Sequence, residues 1–299
     1  NAREVLTLAS TLDQLRRRSL PRSPSGLVVA ELEARLGEYQ IWLAEDRQIL
    51  LFDPDGDGRV VEVFGDLDAA TAVAVVVPGM ANDLTNFSAK DGGFRMNAAN
   101  LFSASSGRDV ATIAWLGYDT PDGADAVSRA CATSAAPDLV KFLTGIDPNG
   151  DRTVTVVAHS YWSVLAGIAA AGGIGADNVV FVGSPGTTLD HAGEAVLRPG
   201  GTVWSALADG DPIGLGVDPL ASYRWWWGLS PLVPAVTLLE SLRQRDVLWH
   251  GTNPVSDEFG ANRISTEGSS GHSAYFEAGT LENLAAILEG RYSSVELAD

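Results

Sequence analysis

Cysteine occurs once in the 299 residues, at Cys131. A single thiol excludes a disulfide framework and a thiolate-rich metal site. No apolar run approaches the roughly 20 residues that a membrane-spanning helix needs. Basic residues are also few: 20 Lys and Arg stand against 38 Asp and Glu, a formal net charge of −18. That balance argues against a nucleic-acid partner, whose recognition rests on a basic footprint. It repels anionic lipid surfaces as well. A charged-then-apolar leader is missing, and the chain starts at Asn1, so the N-terminus reads as trimmed or processed. Localisation is then unknown from sequence, with the cytoplasm favoured over secretion. The remaining composition, 45% hydrophobic and 19% charged, is that of a globular protein. Its length suits two domains, or one large α/β domain with an extension, without help from disulfides or metal.

Residues 1–47 read as a helical N-terminal extension. Leu6, Leu8, Leu12 and Leu15 give one rough apolar face, Pro21 and Pro24 break it, and Val29, Leu32, Leu36 and Trp42 resume helical spacing. Such a face packs on a core or binds a partner. From residue 48 the texture changes. Residues 49–52 and 59–64 read as strands around Pro54, Asp55, Gly56, Asp57 and Gly58, a hairpin turn. Nearly unbroken apolar runs follow at 71–77, 110–115, 153–157, 179–182 and 203–207, the texture of strands buried on both faces. Helical stretches near 124–143, 163–171 and 281–288 alternate with them. Alternating strand and helix predicts a mostly parallel sheet covered on both faces, over residues 48–299. The segment 212–250 interrupts the alternation with Tyr223, Trp225, Trp226, Trp227 and Trp249. It reads as a cap-like insertion over an apolar pocket, or as tryptophans packing the insertion onto the sheet.

The chemistry centres on the passage from the strand at 153–157 through Ala158, His159, Ser160, Tyr161 and Trp162 into a helix. A tight strand-to-helix turn lifts a serine above the sheet's C-terminal edge, the nucleophile elbow. The helix N-terminus there aims backbone N–H groups at a developing oxyanion. The elbow pattern, Gly-x-Ser-x-Gly, wants small residues on both sides. Ala158 is small and Trp162 is not. Three outcomes follow: an elbow opened so that the indole points away, a misplaced serine and an inactive site, or a pocket reshaped by Trp162.

A serine nucleophile needs a base, and only four histidines exist. His159 adjoins the serine too closely in sequence, while His191 and His250 belong to a loop and to the insertion. In sheets with such an elbow the order is Ser, Asp, His. His272, in the glycine- and serine-rich loop before the last helix, is therefore the expected base. The acid should follow the strand at 203–207, where Asp209 and Asp211 stand. Asp211, held extended by Pro212, is preferred, and the other aspartate would cap the turn. A second oxyanion donor should follow an early strand. Gly79 permits a sharp exit there, so the backbone N–H groups of Met80 and Tyr161 form the expected pair. Asp53, Asp55 and Asp57 mimic the start of a calcium loop, but its twelfth position is Phe64, where a bidentate glutamate is needed.

Taken together, Phe52-Asp53-Pro54, Gly56-Asp57-Gly58, Val77-Pro78-Gly79-Met80, Ala158-His159-Ser160-Tyr161, Gly183-Ser184-Pro185-Gly186, Asp211-Pro212, Phe259-Gly260 and Gly271-His272-Ser273 resemble the actinobacterial α/β-hydrolase family catalogued as DUF1023. The resemblance spans about residues 48–290. It implies an α/β-hydrolase fold, a Ser160, Asp211, His272 triad and no cofactor, and members usually carry glycine where Ala158 and Trp162 stand. The expected function is a serine hydrolase cleaving carboxylic esters with an apolar acyl or aromatic part, through an acyl-enzyme. Trp162, Trp225, Trp226 and Trp227 are the expected pocket residues and a small apolar ester the expected partner, with no metal. Acyl transfer or amide cleavage by the same triad, a cyclase-like reaction and a non-catalytic binding module remain alternatives, because fold alone does not fix function.

Overall fold

The computed structural model describes residues 33, 36–37, 39–45, 47–55, 58–79, 82–88, 93–107, 109–118, 129–215, 247–248 and 250–298. Most of the expected N-terminal extension and of the aromatic insertion, including Trp225, Trp226 and Trp227, lies outside them.

Ten strands and four longer helices organise these residues. The strands of the main sheet are β1 (Gln48–Asp53), β2 (Arg59–Phe64), β3 (Ala72–Val77), β4 (Val110–Leu116), β5 (Thr153–His159), β6 (Asn178–Val182), β7 (Thr202–Ala206) and β10 (Asn262–Arg263). A separate two-residue pair, β8 (Val247–Leu248) and β9 (Gly251–Thr252), stands apart from it. The helices are α1 (Arg95–Ala104), α2 (Arg129–Ile146), α3 (Trp162–Gly172) and α4 (Ala278–Leu288). Strand order is β1-β2-β4-β3-β5-β6-β7-β10. β1, β2 and β4 pair antiparallel, and every pairing from β4 through β10 is parallel.

The valine-rich runs explain this placement. Every residue of β3, β4 and β6 is buried, as strands covered on both faces must be. Helices α1 and α4 pack together, as do α2 and α3. The β1–β2 hairpin forms as expected, with Asp53 opposite Arg59 in the register and ion-paired with it. Asp53 is thus committed to its own turn, and Gly58 takes the left-handed conformation (φ 82°) that the turn requires. Among the described residues no helix is long and apolar enough to cross a membrane.

The chain leaves β3 for β4 on one side and returns to β5 on the other, so the strand order reverses at β3. In open α/β sheets ligands bind beyond the carboxyl ends of the strands at such a switch point. There the exits of β3 and β5, at Gly79 and Ser160, come together.

Residues 39–44 are helical and end the expected extension. Tyr39 and Trp42, three residues apart on one helical face, are buried against Phe52 and Phe87. Arg47 lies 4.5 Å over the Trp42 ring and reaches Glu62 on β2. Glu62 is buried, and Arg95 at the start of α1 binds it from a second direction at 2.7 and 3.0 Å. Burial alone would raise the Glu62 carboxyl, and the two guanidiniums more than reverse that, holding it below the usual glutamate value. Glu62→Ala leaves two part-buried cations without their counter-charge. It should cost about 3–5 kcal/mol at neutral pH in a urea titration. A loss under about 1 kcal/mol would show that the cluster is dispensable.

Candidate active site

The elbow is built as its residues require. Ser160 follows β5 with φ 58°, one of three non-glycine residues with positive φ among those described. That conformation costs a residue with a Cβ about 1–2 kcal/mol. It is held by the Ser160 amide, which donates to the Val182 carbonyl at 3.0 Å. The chain then turns through Tyr161 into α3. A Cβ placed on Gly79 would lie 3.3 Å from both the Ser160 Cβ and the His159 Nδ1, so the β3 exit runs directly against the elbow.

Trp162 neither swings outward nor displaces the serine. Its side chain is fully buried, stacked at a tilt on Tyr118 with ring centroids 3.9 Å apart and edge-on to Tyr161 at 5.2 Å. Its indole N–H donates to the Gly79 carbonyl at 2.9 Å. Trp162, expected among the pocket residues, has no accessible surface and packs behind the Gly79 turn. The close approach that a small residue allows occurs instead at Gly167. A Cβ there would meet the Thr187 carbonyl oxygen at 1.8 Å, so α3 packs on the loop after β6 through that glycine.

Ser160, His272 and Asp211 come together although they are widely separated in sequence. His272 Nε2 lies 2.7 Å from Ser160 Oγ, and His272 Nδ1 lies 2.9 and 3.0 Å from the two Asp211 oxygens. The Asp211 carboxylate is buried and also accepts from the Ile213 amide at 2.9 Å and from the Tyr275 hydroxyl. Burial alone would raise its carboxyl. The hydrogen bonds and the facing imidazole outweigh burial and keep it below the usual aspartate value. Asp209 is exposed and contributes its backbone: its carbonyl accepts from the Gly271 amide at 2.8 Å and from Ser270 Oγ at 3.2 Å, tying down the His272 loop.

Tyr275 and Gly183 were not among the expected site residues. Tyr275 is fully buried, donates to Asp211 and accepts from the Ala208 amide at 3.1 Å. Gly183, with φ 56°, leaves the space they occupy, since a Cβ there would lie 2.9 Å from Asp211 Oδ2 and 2.8 Å from the Tyr275 ring. The available signals were the Gly-Ser-Pro-Gly run after β6 and the position of Tyr275 three residues after His272.

The other histidines separate clearly. His191 is on the surface, 3.7 Å from Glu194. His250 is buried edge-on to Tyr161 at 5.4 Å, and desolvation with repulsion from Arg129 lowers it to about 4. His159 is part-buried against the His272 ring, and desolvation followed by repulsion from that ring lowers it to about 3. Both rings accept a proton in the unfolded chain below about 6.5 and refuse it in the folded chain until about 3 and about 4. Their contribution to stability is therefore complete above 6.5 and lost progressively as the pH falls toward those values. Urea midpoints should fall steadily from pH 6.5 to 4, and a flat profile would contradict their burial as neutral rings.

A hydroxyl bonded to an imidazole whose far nitrogen meets a buried carboxylate is the arrangement that activates a serine. Residues 53–218 match the family model described as Alpha/beta hydrolase. The chain belongs to that family. An uncharacterized protein of Mycobacterium tuberculosis is 32% identical over 272 residues, covering 81% of this α/β-hydrolase chain and 39% of the relative. An uncharacterized protein of Mycobacterium bovis is 34% identical over 166 residues, covering 51% of this chain and 62% of the relative. The chain thus spans less than two thirds of the length of either relative. Among solved structures, an α/β serine hydrolase without lid from Xanthomonas campestris aligns over 82% of this chain and 94% of its own, at TM-score 0.43 and 16% identity. The esterase PE8 aligns over 81% and 99%, at TM-score 0.46 and 14% identity. Met80 lies outside the described residues of this α/β-hydrolase.

Proposed function

We propose that this chain is a serine hydrolase of small carboxylic esters with an apolar acyl or aromatic part. The observation that carries the reading is the hydrogen-bonded series from Ser160 Oγ through His272 to Asp211. Ser160 Oγ attacks the ester carbonyl while His272 Nε2 takes its proton. Asp211 holds Nδ1–H and stabilises the imidazolium. The tetrahedral oxyanion is met by the Tyr161 amide at the N-terminus of α3 and by the amide of Met80. Beside that position the Gly79 carbonyl accepts from Trp162 Nε1 and Asn82 Nδ2, at 2.9 and 3.0 Å. Collapse expels the alcohol with the proton from His272, and water, deprotonated by His272, releases the acid from the acyl-enzyme.

The apolar preference rests on Trp225, Trp226 and Trp227 in the insertion. The finer placement in the actinobacterial family catalogued as DUF1023 belongs to the same proposal and rests on the motifs quoted above. Trp162 alone motivated the alternative of a non-catalytic elbow, and an indole packed behind Gly79 beside a hydrogen-bonded triad supports the catalytic reading. The test is acid-quenched mass spectrometry during turnover of nitrophenyl esters of increasing acyl length. Acyl mass on the peptide containing Ser160, with faster turnover for longer or aromatic acyl groups, is the expected result. Turnover without any acylated peptide would overturn the acyl-enzyme.

A further inference from the structure

His159 precedes the nucleophile, and the hydrolase reading gives it no part. Its ring is part-buried, with the His272 ring 4.7 Å away, centroid to centroid. Its Nε2 lies 2.7 Å from the backbone carbonyl of His272. A carbonyl only accepts, so Nε2 must carry the hydrogen, and the ring is a neutral donor fixed in one tautomer. Burial and the neighbouring imidazole keep it neutral down to about pH 3, so it adds no charge beside the base in the working range. On its other side, Nδ1 faces the backbone at Gly79, leaving the ring little room to turn.

The His272 loop is tied down on either side of that residue. Gly271 and Ser270 bond to the Asp209 carbonyl, and Tyr275 bonds to Asp211 and to the Ala208 amide. Between them the peptide of His272 itself is held by His159. Ser160 and His159 are neighbours in one elbow, so the nucleophile and the support of its base move as a unit.

We propose that His159 is a positioning residue for the reaction: its Nε2–H clamps the His272 carbonyl and thereby sets the His272 Nε2 against Ser160 Oγ. The inference rests on the serine-hydrolase reading. Loss of the clamp lets the imidazole drift, and misplacement by about 1 Å costs on the order of 100-fold in the chemical step.

Two amide variants of the whole chain separate a clamp from simple bulk. In His159→Gln the amide nitrogen stands as many bonds from Cβ as the histidine Nε2. In His159→Asn it stops one bond short and cannot reach the carbonyl. Labelling of Ser160 by a fluorophosphonate and kcat and KM on a nitrophenyl ester are measured for both, with thermal unfolding alongside. His159→Gln should stay within about 3-fold of the unmodified chain, and His159→Asn should lose about 10- to 100-fold in labelling rate and kcat with KM little changed. Equal behaviour of the two variants, whether both active or both impaired, would overturn the clamp. An unmodified chain that takes no label at Ser160 would overturn the hydrolase reading, and this inference with it.

Discussion

Ser160→Ala lowers ester turnover by about 10⁴-fold or more while the protein remains folded. The elbow keeps its shape because alanine retains the Cβ, and the backbone amide at position 160 still donates to the Val182 carbonyl. What vanishes is the hydroxyl bonded to His272 Nε2. A companion variant reads the strain directly. Ser160→Gly is equally inactive, and at φ 58° it is relieved of the Cβ clash. It should therefore unfold later than Ser160→Ala by about 1 kcal/mol. Residual turnover above one tenth of the unmodified rate in either variant would remove Ser160 from the reaction.

Trp162→Gly destabilises the chain by about 3–5 kcal/mol and lowers turnover on short and bulky esters alike. The stability loss follows from a fully buried indole packed between Tyr118 and Tyr161, whose removal leaves a cavity. The activity loss follows from the Gly79 carbonyl, which would lose the indole N–H and keep only Asn82. Read from sequence, the same residue could have obstructed the elbow, and its removal would then speed the cleavage of bulky esters. Denaturant titration and a panel of acyl lengths decide the matter. Faster turnover of bulky esters would mean that the indole stands in the substrate's path.

What was legible in sequence was local. Valine runs marked the strands because a strand buried on both faces has little polar alternation to hide it, and the elbow needed only strand, serine and helix in succession. Helix α1 was missed because only Ala98 and Leu101 of its residues are buried, which leaves a faint periodicity. The last strand of the sheet is two residues long, below any pattern. Asp209 and Asp211 sit two residues apart in one turn, and what separates them is tertiary: Asp209 faces outward while the Asp211 carboxylate is buried under His272 and Tyr275. The supporting groups share that origin. His159 meets the His272 carbonyl across 113 residues and Tyr275 meets Asp211 across 64. Glu62, a lone acid in an apolar strand, would ordinarily mark a solvent-facing position. Arg47 and Arg95, 15 and 33 residues away, are what allow it to be buried.

The most direct test of the account is fluorophosphonate labelling of the folded chain, with the modified residue located by mass spectrometry. The account predicts one label, on Ser160, absent from Ser160→Ala and slowed strongly in Asp211→Asn. A folded chain that takes no label, or a label that persists in Ser160→Ala, would contradict an activated serine at this elbow.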